Sequence, residues 1–221
     1  MANDFYYSAK PQSEHEVRQI AFSYRGKSLR FETDSSVFSK TQLDRGTEIL
    51  LRTLPDELSG RVLDMGCGWG AIGVSLGAVY PACEITMCDI NERACGLSEK
   101  NARANGVRAQ VLISDGWEKV RGHQYDYIVQ NPPIRAGKAV LYQMFADAAQ
   151  GLGQGGEYWL VIRKQQGAPS ALTHLKTLFR QALVVEREAG YWISAARNPI
   201  QSAEASWSFS AAVANASRLL S

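Results

Sequence analysis

Asn131-Pro132-Pro133-Ile134 closes an apolar run that begins at Tyr125 and ends at Val129. A strand cannot continue through two prolines, because each lacks an N–H and holds φ fixed. The backbone therefore turns, and its carbonyls are left without ladder partners. The result is a rigid corner rich in acceptors, where the Asn131 side-chain oxygen and the Pro132 carbonyl can both face a cleft. A planar exocyclic NH2 group has two donors, so two fixed acceptors hold it and aim its nitrogen. Taken alone, the same four residues also suit a plain turn between a strand and a helix.

A second constellation lies upstream. Val62-Leu63-Asp64-Met65-Gly66-Cys67-Gly68-Trp69-Gly70-Ala71-Ile72-Gly73 reads as a strand, a glycine-rich turn and the start of a helix. Glycines at alternate positions permit positive φ and let backbone N–H groups approach a ligand. Gly68 to Gly73 spells GxGxxG, so the loop by itself also permits a nicotinamide or flavin enzyme. Asp64 argues against that reading. It stands at the strand's carboxyl end, where an unpaired carboxylate would repel a pyrophosphate by about 1–4 kcal/mol at 4 Å. A ligand with an ammonium and a sulfonium is attracted instead, and S-adenosylmethionine carries both. Asp89 ends the next strand in Cys88-Asp89-Ile90-Asn91, where a carboxylate can take both hydroxyls of a ribose. Ser114-Asp115-Gly116 ends the third, where a short polar side chain can accept from an adenine amine. Three acids at three successive strand ends converge on the edge where open α/β sheets bind ligands.

The elements that must hold these residues follow from periodicity. Val17–Tyr24 and Ser28–Thr33 read as strands of a β-hairpin joined by Arg25-Gly26-Lys27. Ser39-Lys40-Thr41-Gln42 reads as the opening of an amphipathic helix that carries Leu43, Ile49, Leu50 and Leu54 and stops at Pro55. From Arg61 onward, strand patterns (61–65, 84–88, 109–113, 125–129, 157–162, 183–188, 191–196) alternate with helical ones (71–79, 92–105, 139–150, 170–180). That alternation predicts an α/β fold: a Rossmann-like, mostly parallel open sheet with helices on both faces. The last two strands are separated only by Ala189-Gly190, a tight hairpin, so one antiparallel edge strand is expected. The divisions are residues 1–58, a hairpin and helix extending the same domain; 59–198, the ligand-binding core; and 199–221, a tail with only a weak helical pattern.

The 221 residues are 45% hydrophobic and 21% charged, enough for one sizeable core. No apolar run approaches the roughly 18 residues that span a bilayer, and residues 1–10 lack the apolar stretch of a secretion signal. Cys67, Cys83, Cys88 and Cys95 form no CxxC pair and have no nearby His at zinc spacing. They read as buried thiols in a reducing cytoplasm, with no metal site. A net charge of +2 demands no nucleic-acid partner, so such a partner needs a local basic patch. Arg135 and Lys138 follow the Asn-Pro-Pro corner, and Arg163 and Lys164 follow the next strand, all at the ligand edge. They are placed to meet phosphates flanking an extruded nucleotide.

On these motifs the chain resembles the class I S-adenosylmethionine-dependent methyltransferases. More narrowly, it is similar to the small-domain branch related to bacterial 16S ribosomal RNA guanine-N2 methyltransferases. The matching stretches are Asp34 to Ser39, Val62 to Gly70, Cys88 to Asn91, Ser114 to Gly116 and Asn131 to Gly137, across residues 15 to 197. The resemblance implies S-adenosylmethionine as cofactor, with Phe38 and Ser39 closing over it. Gly66 and Gly68 would bear its methionine portion, with Asp64 and Gly70 in the same loop. Asp89, with Ile90 beside it, would take the ribose, and Asp115, between Ser114 and Gly116, the adenine. Asn131, with Pro132 and Pro133, would take the target amine, most simply guanine N2 in ribosomal RNA or the small ribosomal subunit. Two departures stand out. Family members that act on a base often have an aromatic residue where this chain has Ile134, so stacking worth about 1–3 kcal/mol is absent there. The larger ribosomal RNA enzymes also carry a duplicated domain where this chain has only a hairpin and a helix. Two other readings stay open: N-methylation of a protein glutamine side chain, and a non-catalytic factor that binds S-adenosylmethionine or RNA.

Overall fold

The computed structural model describes residues 17–34 and 42–200. A hairpin of β1 (Val17–Tyr24) and β2 (Lys27–Asp34) precedes helix α1 (Arg45–Thr53). The core then runs β3 (Gly60–Met65), α2 (Ala71–Val79), β4 (Cys83–Asp89), α3 (Glu92–Ala104), β5 (Ala109–Ile113) and β6 (Tyr125–Gln130). It continues through α4 (Lys138–Gly151), β7 (Leu152–Arg163), α5 (Ala168–Leu178), β8 (Phe179–Glu188) and β9 (Tyr191–Pro199). No described helix is long and apolar enough to cross a membrane.

Seven strands form one sheet in the order β5-β4-β3-β6-β7-β9-β8. Every pairing from β5 to β7 is parallel, and β9 runs antiparallel to both β7 and β8. The fold is therefore the Rossmann-like sheet expected, with one refinement at its edge. The antiparallel strand lies one place in, and β8 is the outermost strand. Side chains explain the order. Ile193, Ser194, Ala195 and Ala196 of β9 are buried, whereas β8 carries exposed Arg180, Glu186 and Arg187. Charges on an outer strand deter pairing with other chains. Ala189 and Gly190 turn the chain with φ of 49° and 81°, the geometry a two-residue hairpin requires.

Alternation along the central strands divides the core. Tyr158, Leu160 and Ile162 of β7 join Phe145 of α4 and Leu175 of α5 on one face. Trp159 and Val161 join Ile49 of α1, Leu76 of α2 and the hairpin on the other. Three boundaries differ from the sequence expectation. β8 begins at Phe179 rather than 183, because α5 ends at Leu178 and residues 179–180, expected in the helix, are strand. β7 begins at Leu152 rather than 157, because the Gly-rich stretch 153–156 is itself strand: a Cβ on Gly156 would lie 2.9 Å from the Tyr125 carbonyl, a close approach only glycine permits. α1 begins at Arg45, since Asp44 caps it by accepting from the Thr47 N–H at 3.0 Å and Gln42 is not helical. Ser39, Lys40 and Thr41 lie outside the described residues, as do 201–221.

The hairpin is fastened to the core by polar contacts as well as by Phe31, which meets Trp69 edge-on at 4.9 Å. Asn101 of α3 is 1% exposed; its amide donates to the carbonyls of Glu32 and Trp69 and accepts from the Glu32 N–H. Arg25 at the hairpin tip pairs with Asp56 and donates to the Leu54 carbonyl at 2.7 Å, which ties the tip to the end of α1. Asn101→Ala strips partners from three backbone groups at once, each worth about 1 kcal/mol or more when buried. The urea midpoint is expected to fall by the equivalent of about 3 kcal/mol with an unchanged slope. A loss below 1 kcal/mol would show the hairpin to be held by its apolar contacts alone.

Candidate active site

The strand order reverses between β3 and β6, and ligand clefts in open α/β sheets form outside the carboxyl ends at such a reversal. The glycine loop follows β3 and the Asn-Pro-Pro corner follows β6, so the two motifs face each other across one cavity of about 720 Å³. That volume suits a ligand of cofactor size.

Gly66 and Gly68 line the cavity with φ of 72° and 57°. The space a Cβ would occupy on Gly66 is open, so the loop presents bare backbone to a ligand. It is pinned from behind. The N–H groups of Gly66 and Cys67 donate to the Cys88 carbonyl at 2.8 and 3.0 Å, and that of Gly68 donates to Asp89 Oδ2 at 2.9 Å. Asp89 Oδ1 accepts from the Asn91 N–H at 2.9 Å. Burial raises the Asp89 carboxyl above its ordinary range, while backbone N–H bonds from Asn91, Gly68 and Ile90 pull it back. Asp89, Ile90, Ser114, Asp115 and Gly116 all line the cavity. The Ser114 hydroxyl is committed to its own loop: it donates to the Gly116 carbonyl and accepts from the Lys119 N–H, both at 3.0 Å. Asp115, whose side chain has no such commitment among the described residues, lines the cavity beside it. Bare backbone at Gly66 and carboxylates at two successive strand ends fit S-adenosylmethionine.

Asp64 stands elsewhere. It is 1% exposed, lies outside the cavity lining, and its Oδ2 accepts from the Gly73 N–H at 2.8 Å. It thus occupies the N-terminal turn of α2, where a dinucleotide phosphate would need those donors. The case against a dinucleotide rests on this occupancy rather than on repulsion across the cavity. Oδ1 has no hydrogen-bond partner among the described residues. Burial, opposed by the Gly73 bond and helped by the Asp89 charge, pushes the carboxyl from 3.8 to about 7. The folded protein therefore keeps this proton to higher pH than the unfolded chain, and stability falls as pH rises from about 4 to about 7. Asp64→Asn is expected to remove about 2 kcal/mol of the loss between pH 5 and pH 7. Thermal midpoints at pH 5 and pH 8 test this; parallel shifts in both proteins would refute the assignment.

At the corner, Asn131 Nδ2 donates to Asp44 Oδ2 at 3.0 Å and to Thr47 Oγ1 at 2.9 Å. Its Oδ1 accepts nothing from the described residues, and neither does the Pro132 carbonyl. The Pro133 carbonyl is taken by the Ala136 N–H at 3.0 Å, within a single 3-10 turn over Ile134–Ala136. Two adjacent residues thus each keep an unused acceptor, in a lining that includes Asn131, Pro132, Pro133, Ile134 and Arg135. Arg163 lines it too, its guanidinium 4.8 Å above the Tyr191 ring.

Of the residues singled out in the sequence, Gly70, Lys138 and Lys164 lie outside the lining. Gly70 begins α2 with a φ of 87°, Lys138 places its ammonium over the Tyr142 ring, and Lys164 is exposed. Phe38 and Ser39 lie outside the described residues. Asp44, Thr47 and Tyr191 line the cavity although no motif marks them, and Gln166, in the polar cluster that follows Arg163, lines it too. The cysteines are free, and burial pushes the Cys88 and Cys95 thiols up to about 12. Among the described residues, no group of three or more His, Cys, Asp or Glu is placed to hold a metal.

Comparison with known proteins identifies the family and the fold. The profile of the methyltransferase small domain family matches residues 28–195. The uncharacterized protein YbxB of Bacillus subtilis (strain 168) is 41% identical over 198 residues, 88% of this chain and 98% of that protein. The ribosomal RNA small subunit methyltransferase C of Vibrio vulnificus is 37% identical over 148 residues, 65% of this chain and 43% of that enzyme. Among solved structures, the T. thermophilus 16S rRNA N2 G1207 methyltransferase, in complex with AdoMet and guanosine, superposes with a TM-score of 0.74 and 25% identity. The match covers 85% of this chain and 52% of that one. The chain thus spans nearly all of the Bacillus protein and about half the length of the ribosomal RNA enzymes.

Proposed function

We propose that this chain, which belongs to the methyltransferase small domain family and draws its methyl group from S-adenosylmethionine, methylates the exocyclic N2 of a guanine in ribosomal RNA. The observation that carries the reading is the state of Asn131, whose amide nitrogen is fully engaged and whose oxygen is left open beside the Pro132 carbonyl. The ribosomal RNA substrates named for the relatives support the choice of acceptor, as do Arg135 and Arg163 at the cavity. We place the reaction in the cytoplasm, with ribosomal RNA or the small subunit as partner.

An exocyclic amine on a purine is a weak nucleophile, because its lone pair is delocalised into the ring. Asn131 Oδ1 and the Pro132 carbonyl accept its two N–H bonds, which turns the lone pair out of conjugation. S-adenosylmethionine, when bound, supplies an electrophilic methyl carbon. The amine gains positive charge as it attacks, so the two fixed acceptors favour the transition state over the ground state. Asp89 and the glycine loop hold the donor, and the corner holds the acceptor; bringing reacting atoms to about 3–3.5 Å supplies much of the remaining rate. No strong base is needed, since the alkylated amine loses its proton readily.

The test is transfer of labelled methyl from S-adenosylmethionine to small ribosomal subunits, free ribosomal RNA and protein extract, all from cells lacking this gene. Label recovered as N2-methylguanosine, and absent with Asn131→Ala, is the expected result. Label confined to protein would move the acceptor to a glutamine amide. No label in any acceptor would refute the reaction.

A further inference from the structure

The contacts around Asn131 come from the N-terminal turn of α1, a segment that no motif connects to the corner. Asp44 Oδ2 accepts from the Thr47 N–H and from Asn131 Nδ2, both at 3.0 Å, while Thr47 Oγ1 takes the second Nδ2 hydrogen at 2.9 Å. Both amide hydrogens are thereby used. A flipped amide would press its oxygen against the Asp44 carboxylate, so Oδ1 is held in one orientation. One atom of this network is unused: Asp44 Oδ1 accepts nothing from the described residues, and Asp44 lines the cavity beside Asn131.

Three residues of the cavity lining thus each hold an acceptor that no described donor uses: the Pro132 carbonyl, Asn131 Oδ1 and Asp44 Oδ1. Guanine presents three donors in a row, the two N2 hydrogens and the neighbouring N1–H. Adenine places a lone pair beside its amine, and a glutamine side chain places a carbonyl oxygen there. Either would set acceptor against carboxylate. We propose that Asp44 reads the N1–H of the acceptor guanine, and that Asp44 and Thr47 together orient Asn131. This rests on the guanine-N2 reading above and adds the group that selects the base. The recognition is a carboxylate accepting from a polarised ring N–H next to the reacting amine, a contact that discriminates between bases.

The probe is a pair of nucleosides, guanosine and 2-aminopurine riboside. The second keeps the C2 amine but carries a lone pair at N1. Each is titrated into protein saturated with S-adenosylhomocysteine, for the natural chain and for Asp44→Asn. Asn caps a helix about as well as Asp, so the variant is expected to fold, and its thermal midpoint checks that. The natural chain should prefer guanosine by about 10- to 100-fold. In Asp44→Asn the preference should drop to within about twofold or reverse, because a carboxamide can offer N–H to the N1 lone pair. Thr47→Val separates the two roles. It should slow methyl transfer to guanine by roughly tenfold while leaving the base preference intact, since it loosens Asn131 without touching N1. An unchanged preference in Asp44→Asn, or a natural chain indifferent to the two nucleosides, would overturn the inference even if N2-methylguanosine forms. A natural chain that binds neither nucleoside, and labels only protein, would overturn the reaction as well.

Discussion

Asn131→Ala is expected to lower kcat for methyl transfer by about 10³-fold while moving the affinity for S-adenosylmethionine by less than about threefold. The reasoning starts from what the side chain does in the folded protein. Its nitrogen is tied to Asp44 and Thr47, so the oxygen arrives already oriented and no reorganisation is spent during the reaction. Removing one such preorganised dipole in other enzymes costs about 10²–10³ in kcat, and here the lost group also aligns the nucleophile. Asn131→Asp sharpens the test. It preserves an acceptor but removes both donors and sets a carboxylate against Asp44, so it should fare no better than alanine. Single-turnover rates at saturating cofactor, with binding measured separately by calorimetry, divide the two effects. A variant that loses cofactor binding in proportion to its rate would place Asn131 in the cofactor site instead.

What the sequence revealed, and what it hid, follows from the range of the interactions concerned. The central strands were legible because burial on both faces writes a continuous apolar run, as in Trp159-Leu160-Val161-Ile162. The glycine loop was legible because positive φ at Gly66, Gly68 and Gly70 restricts the residue type locally. The Gly-rich start of β7 hid its strand character, since the reason for Gly156 is a carbonyl of another strand. Asp64 was read correctly as a strand-end acid, but the direction of its carboxylate depends on Gly73 packing against β3. Asp44 and Tyr191 were invisible as site residues. Asp44 looks like an ordinary helix cap, and its second function exists only because α1 docks against the corner at the end of β6. Tyr191 reaches the cavity only because β9 pairs with β7 in a register that sets it opposite Arg163. It brings an aromatic ring to a cavity whose corner carries Ile134 after the two prolines.

Asp89→Ala should do the reverse of the Asn131 change, weakening S-adenosylmethionine by about 100-fold, or roughly 2.7 kcal/mol, while leaving kcat at saturation within a few-fold. The carboxylate already accepts from the Gly68 and Asn91 N–H groups, with the Ile90 N–H also bonded to it, and of the four lone pairs on its two oxygens at least one remains for a ribose hydroxyl. Alanine therefore does two things at once: it deletes the diol acceptor and releases the glycine loop. A ligand change separates them. S-adenosylhomocysteine and its 2′,3′-dideoxy analogue differ only in the hydroxyls, so the natural chain should bind the first far more tightly. Asp89→Ala should bind the two alike if the contact is made. If the loop alone were responsible, both ligands would weaken together and the ratio between them would persist in the variant. Unchanged affinity for the cofactor would remove Asp89 from the ribose site altogether. That would leave the glycine loop and Asp115 to hold the donor, with Asp89 serving only to pin that loop through the Gly68 and Asn91 N–H groups.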